Sequence, residues 1–130
     1  MLVVDASCVY EVVAGTERSE AVRRRLAAEV DLLAPHLVDV EVLGAIRLRH
    51  RLGHLDDTAA QQAVEDLRDW GGERVGHRAL LARAWQLRDT VRSWDAVYVA
   101  LAEALDAPLL TLDARLAAAP GPRCRIELVE

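Results

Sequence analysis

The chain contains no lysine, no asparagine and no phenylalanine, and only two cysteines and one methionine in 130 residues. Without lysine there is no Walker A phosphate loop, no Schiff-base lysine and no lysine partner for a phospho-acceptor aspartate. All sixteen basic residues are arginine, a bias of coding more than a physical requirement. Cys8 and Cys124 lie near opposite ends of the chain in apolar surroundings, the pattern of reduced, buried thiols and not of a disulfide framework. Apolar residues make up 52% of the chain, yet no apolar run approaches the roughly 20 residues of a membrane-spanning helix. Met1-Leu2-Val3-Val4-Asp5 has no basic region before a long apolar stretch, so it reads as a first strand and not a signal peptide, and a cytoplasmic location is expected. His50 and His54 are four apart, but Gly53 lies between them at an expected helix end. With no HExxH pattern and no Ser–His pair, neither a histidine metal site nor a serine nucleophile is indicated.

What is present is a chain of the commonest single-domain length, expected to form one domain over residues 1–130. Short β-type runs alternate with helical patterns. A strand at 2–5 is followed by a helix over 7–14 and another over 17–29, for which Thr16 is the expected cap. Leu32-Leu33-Ala34 reads as a strand ended by Pro35. The segment 37–52 is helical and apolar on much of its circumference, so it is expected to be mostly buried, with Gly44 and Ala45 allowing another backbone to approach. Gly53 ends it. Asp56 or Asp57 starts the next helix, whose Ala59, Ala60, Ala63, Val64 and Leu67 form one stripe, completing a helical hairpin. After Gly71-Gly72 come a strand edge at Arg74-Val75 and a helix over 79–88. The clearest helix is 93–105, with Ser93 as its cap and Trp94, Val97, Tyr98, Leu101, Ala102 and Leu105 on one face. Strands at 109–111 and 124–129 flank a short helix capped by Asp113 and a turn at Pro120-Gly121-Pro122. Strands separated by helices predict a mainly parallel, three-layer α/β/α sheet, in which ligands collect beyond the carboxyl ends of the strands.

Four acidic residues stand at the ends of different apolar segments: Asp5, Glu41, Asp95 and Asp113. Brought together, they would repel by ~4 kcal/mol per pair at ~4 Å and an effective dielectric of 20, and would need a cation. Separate explanations exist for three of them. Asp95 suits the first turn of its helix, where free N–H groups favour an anion; Asp113 suits an N-cap and Asp5 a turn. Glu41 is harder to place, because it lies among Leu37, Val38, Val40, Val42 and Leu43, where a buried carboxylate must be paired, neutralised or metal-bound. Asp39, two residues earlier, is the competing choice, as a solvated first-turn charge.

The segments Val3-Val4-Asp5-Ala6-Ser7, Val38-Asp39-Val40-Glu41-Val42-Leu43, Ser93-Trp94-Asp95-Ala96 and Leu110-Thr111-Leu112-Asp113-Ala114-Arg115-Leu116, in this order and spacing, resemble the PIN-domain ribonucleases. Among these the chain is similar to the VapC-type toxins of VapBC toxin-antitoxin modules, along essentially its whole length. The resemblance implies an endoribonuclease in which Asp5, Glu41, Asp95 and Asp113 bind one or two divalent ions. Asp5 and Asp95 would be the principal ligands, Glu41 and Asp113 would complete the site, and Ser7 and Thr111 would orient ligands or water. An all-oxygen set suits Mg²⁺, with Mn²⁺ as a substitute. The nucleophile is then expected to be a metal-activated water, and the products to carry a 5′-phosphate and a 3′-hydroxyl. The resemblance further implies a cognate VapB-type antitoxin, with Leu48, Leu52 and Leu55 as candidate contacts, and a homodimer.

The net charge of −5 is less adverse to RNA binding than it looks, since removing the four site carboxylates leaves −1. Arg18, Arg92 and Arg115 are the candidate RNA-binding residues by nearness to the motifs. The aromatic residues Tyr10, Trp70, Trp85, Trp94 and Tyr98 fall in helical stripes and are expected in the core. A haloacid-dehalogenase-like phosphatase would need an aspartate where Ser7 stands, and a phospho-receiver would need a lysine. The remaining alternative is a catalytically inactive PIN-fold scaffold binding RNA or a protein partner. Loss of one of the four acids would mark it, and all four are present.

Overall fold

The computed structural model describes residues 1–130, the side chain of residue 93 excepted. Five short strands form its centre: β1 (Leu2–Val4), β2 (Leu32–Pro35), β3 (Glu73–Val75), β4 (Leu109–Thr111) and β5 (Ile126–Leu128). They pair in the order β3-β2-β1-β4-β5, and every pairing is parallel. β1 is a continuous apolar run and β4 is apolar up to its last residue, Thr111; both are buried along their length, as strands covered on both faces must be. Val3 pairs with Leu109 and Val4 with Leu110. The chain steps outward from β1 through β2 to β3, then returns to the other side of β1 with β4. That reversal creates a switch point between the carboxyl ends of β1 and β4, the place where an open α/β sheet leaves a crevice.

The helices are α1 (Ala6–Ala14), α2 (Ser19–Ala27), α3 (Leu37–Arg51), α4 (Asp57–Asp69), α5 (Leu81–Gln86), α6 (Ser93–Leu105) and α7 (Ala114–Ala118). α1 packs against α2, α3 and α4, whereas α6 packs against α5 and lies on β1, β2 and β4, giving layers on either side of the sheet. From Ala96 to Ala102 every residue of α6 is buried, because small alanines alternate with Val97, Tyr98, Val99 and Leu101 and let the helix sit close to the strands. α3 and α4 form the hairpin, and Asp56 caps α4 by accepting from the Ala59 N–H at 2.7 Å. From β3, Arg74 donates to the carbonyls of Leu67, Trp70 and Gly72 and to the Asp39 carboxylate, satisfying carbonyls left free at the helix end. Asp39 is therefore paired with β3 and is not simply a solvated charge. No helix among the described residues is long and apolar enough to cross a membrane.

Several expectations need correction. α3 is not mostly buried: only Val38, Val42 and Ile46 are, while Val40 and Leu43 face outward and nothing approaches Gly44. Its single buried stripe is narrower than its apolar content implied, because α1 and α4 cover only one side. Thr16 does not cap α2, which begins three residues later after Arg18; the Thr16 hydroxyl instead accepts from the Arg18 N–H at 3.3 Å in the preceding turn. The expected 79–88 helix divides into a 3₁₀ turn, Arg78–Leu80, and the six-residue α5. The cap assigned to Ser93 concerns a side chain outside the described residues. Of the aromatic residues only Tyr98 is fully buried, Tyr10 and Trp70 being half-buried, whereas Trp85 is 66% exposed and Trp94 52% exposed. Trp85 stacks under the Arg88 guanidinium at 4.5 Å. Both cysteines are free.

Candidate metal centre

β1 ends at Val4 and α1 begins at Ala6, which leaves Asp5 in the bend at the carboxyl end of the central strand. Its N–H donates to Leu110 O at 3.0 Å, fixing the bend against β4. The Asp5 carboxylate is 5% exposed. Its Oδ2 accepts from Ser7 Oγ at 2.9 Å and from Thr111 Oγ1 at 2.7 Å. Those hydroxyls accept in turn from backbone N–H groups, Ser7 Oγ from Leu112 at 3.2 Å and Thr111 Oγ1 from Asp113 at 3.0 Å. Two hydroxyls thus stitch the end of β1 to the end of β4. Burial nevertheless raises the Asp5 pKa, and the nearby Asp95 adds to the rise.

Asp95 projects from the first turn of α6 and is also buried. Arg92, one turn earlier, donates through Nε to Asp95 Oδ2 at 3.1 Å and reaches Asp113 Oδ2 with Nη2 at 3.3 Å. Burial raises the Asp95 pKa; Arg92 opposes the rise, and Asp113 reinforces it. Asp113 is the N-cap of α7, with Oδ1 accepting from the Arg115 N–H at 2.9 Å. Both roles, cap and member of the cluster, fall to the same carboxylate. Arg115 Nε lies 3.7 Å from Asp113 Oδ1.

Glu41 enters from the first half of α3. Burial, then the negative charges of Asp5 and Asp95, push its pKa up to about 7. Its Oε1 is buried without a hydrogen-bond partner. Each of the four acids is an electrostatic neighbour of at least one other, so the fold brings the whole set to the switch point. Arg92 and Arg115 stand with Asp95 and Asp113 around a cleft of about 200 Å³. Arg18 does not join them; its charge acts on Cys8 and Glu11.

Two features of this corner escaped the sequence reading. Arg92 is not merely at a rim but bridges two of the acids, and Tyr98, assigned to the core, points its hydroxyl toward Glu41. Arg92, at the N-cap of α6, and Asp95 and Tyr98 within it are spaced by three, and that i, i+3 spacing was the available signal.

The four side chains fit a divalent cation. They present only oxygen donors, as hard ions require, and the buried, unpartnered Glu41 Oε1 shows that this carboxylate is not satisfied within the chain. Among the described residues no three such groups are already drawn to metal-ligand spacing. The Arg92 guanidinium stands between Asp95 and Asp113 and donates to both.

Comparison with known proteins agrees with this architecture. The PIN-domain family matches residues 2–122. Ribonuclease VapC1 of Mycobacterium tuberculosis is 45% identical over 128 residues, covering 98% of this chain and 96% of that protein. Ribonuclease VapC3 of the same organism is 45% identical over 119 residues, covering 91% and 86%. The crystal structure of M. tuberculosis VapC20, a sarcin-ricin loop cleaving toxin, superposes with a TM-score of 0.67 at 22% identity, over 91% of this chain and 94% of that one, a likeness of fold. With matching sequence along nearly its whole length and the same parallel α/β/α architecture, this chain belongs to the PIN-domain family, among the VapC ribonucleases.

Proposed function

We propose that this chain, acting as one domain over residues 1–130, is the toxin of a type II toxin–antitoxin pair and an endoribonuclease that hydrolyses RNA phosphodiesters with Mg²⁺, Mn²⁺ serving as a substitute. The observation that carries the reading is the meeting of Asp5, Glu41, Asp95 and Asp113 at the sheet's switch point, in a chain of a ribonuclease family. Asp5 and Asp95 would hold the ion, with Glu41 and Asp113 completing its surroundings. When bound, a divalent ion supplies Lewis acidity toward the scissile phosphate and lowers the pKa of water. Ser7 and Thr111 fix the Asp5 carboxylate by donating to Oδ2. Glu41, its pKa pushed up to about 7 by burial, is suited to take a proton at its carboxylate. Arg115, and Arg92 once released from Asp95 and Asp113, offer guanidinium groups to RNA phosphates; Arg18 is the more remote candidate.

The test is cleavage of total bacterial RNA by the antitoxin-free protein with Mg²⁺, Mn²⁺ or EDTA, followed by mapping of the cut ends. Discrete cuts that require metal and Asp5 are expected. Absence of cleavage at verified metal occupancy transfers the reading to a catalytically inactive scaffold.

Because Arg92 competes with the ion for Asp95 and Asp113, Arg92→Ala is expected to tighten Mn²⁺ binding while raising KM for RNA. The gain should be about threefold to tenfold and not larger, since the Arg92 side chain is 58% exposed and solvent screens its pull. Weaker Mn²⁺ binding by the variant would remove the competition.

The partners follow from the same reading: a VapB-type antitoxin and a second copy of the chain. Leu48 and Leu52 are exposed on α3 and remain candidate antitoxin contacts, whereas Leu55 packs against the core and suits the role less. Gel filtration is expected to show a species of twice the 14.3 kDa chain mass, and a larger one with the neighbouring gene product; a monomer in both runs contradicts both partners.

A further inference from the structure

Among the described residues four buried side-chain polar atoms lack a hydrogen-bond partner, and two of them, Glu41 Oε1 and Tyr98 Oη, belong to one corner. Tyr98 is wholly buried in the middle of α6, flanked along the helix by alanine and valine. A phenol placed there for packing alone would be better replaced by phenylalanine, because a buried hydroxyl without a partner loses its bonds to water and gains nothing in return. Its position is not arbitrary either. Tyr98 follows Asp95 by three residues and so shares its helix face, and its hydroxyl is near enough to Glu41 to favour the ionised carboxylate, though not aligned to complete a hydrogen bond with Oε1.

We infer that Tyr98 is a positioning residue of the acidic centre, whose hydroxyl holds the Glu41 carboxylate in place for the divalent ion. This rests on the metal reading above. The hydroxyl donates to Glu41 Oε1 when the carboxylate is ionised and turns its other oxygen toward Asp5 and Asp95. Such outer partners of metal ligands typically matter by 10–100-fold in metal affinity or activity. Asp5 has the same kind of support from Ser7 and Thr111. Tyr98 is what supplies it to Glu41.

The experiment is Mn²⁺ titration, followed by electron paramagnetic resonance or calorimetry, of the wild type, Asp5→Asn, Tyr98→Phe, Glu41→Gln and the double variant Tyr98→Phe/Glu41→Gln. Tyr98→Phe keeps the ring, so its metal-free melting temperature is expected to match or exceed that of the wild type. Its Mn²⁺ affinity is expected to fall about tenfold. In the Glu41→Gln background the same change should have no further effect, because the hydroxyl acts through Glu41; a general packing role would persist there. Unchanged affinity in Tyr98→Phe, or an equal loss in both backgrounds, overturns the inference. If the wild type binds Mn²⁺ no better than Asp5→Asn, the metal reading itself has failed and the role of Tyr98 falls with it.

Discussion

Asp5→Asn is expected to abolish metal-dependent RNA cleavage while leaving the fold intact and making the metal-free protein more stable. The substitution suits this position because both hydroxyls that reach Asp5, from Ser7 and Thr111, donate to the single atom Oδ2. An asparagine oxygen can accept both, so the stitch between β1 and β4 survives. What is lost is a negative charge at the carboxyl end of the central strand. Stabilisation of transition-state charge by a bound ion is a matter of several kcal/mol, and ~4 kcal/mol corresponds to roughly 10³-fold in rate. The fall in kcat/KM is expected to be at least of that order. Stability should move the other way. Burial and Asp95 both disfavour the ionised Asp5, so removing the charge is expected to raise the metal-free melting temperature by a few degrees, on the order of 1 kcal/mol. Added Mg²⁺ should then stabilise the wild type and not the variant. Calorimetric melting with EDTA and with Mg²⁺, run beside the cleavage assay, checks both signs. A variant that still cleaves, or one that melts much earlier than the wild type, contradicts the role assigned to Asp5.

The opposite signs reveal why part of this site was legible in the sequence and part was not. Asp5 and Asp113 could be read because each follows a short apolar strand, and a parallel sheet delivers such positions to one edge. Glu41 was legible as a contradiction, a charge set among Val38, Val40, Val42 and Leu43. Asp95 was legible as a charge at the start of an apolar helix, though a first-turn aspartate also has an ordinary explanation. The structure retains that explanation for Asp113, which caps α7 and joins the cluster at once. Periodicity identifies an apolar stripe but not how much of it neighbouring elements cover. That is why α3 proved half exposed, and why Trp94, on the same apolar pattern as Val97 and Tyr98, came out in solvent at the start of α6. Arg92 is an RNA candidate by its nearness to the motifs, and its contact with Asp113, 21 residues apart, leaves no mark in the sequence. The hydroxyl of Tyr98 leaves no mark in the sequence, because burial alone explains the ring.

The metal-free protein is expected to lose stability as pH rises from about 4.5 to 7, while its affinity for divalent ions increases across the same range. Glu41 supplies the sign. Its pKa is raised from 4.5 to about 7 by burial and by the charges of Asp5 and Asp95, so between those values the folded chain binds a proton that the unfolded chain has released. Where the folded state holds more protons, stability decreases with pH. The favourable contribution is complete below 4.5 and gone above about 7, a difference on the order of 3 kcal/mol before allowance for the partial exposure of Glu41. Asp5 and Asp95 are raised as well and act in the same direction. A divalent ion binds the ionised form and must expel the proton. Affinity should therefore be about tenfold weaker at pH 6 than at pH 8, and melting temperatures with and without Mg²⁺ should diverge as the pH rises. Glu41→Gln removes the titrating group and is expected to flatten both slopes, at the cost of weaker binding at every pH. Melting curves at pH 5, 6, 7 and 8 with EDTA and with Mg²⁺, together with Mn²⁺ titrations at pH 6 and 8, decide it. A metal-free stability that climbs with pH in this window would mean that Glu41 is ionised and paired in the folded chain, and that the cation it meets is already part of the protein.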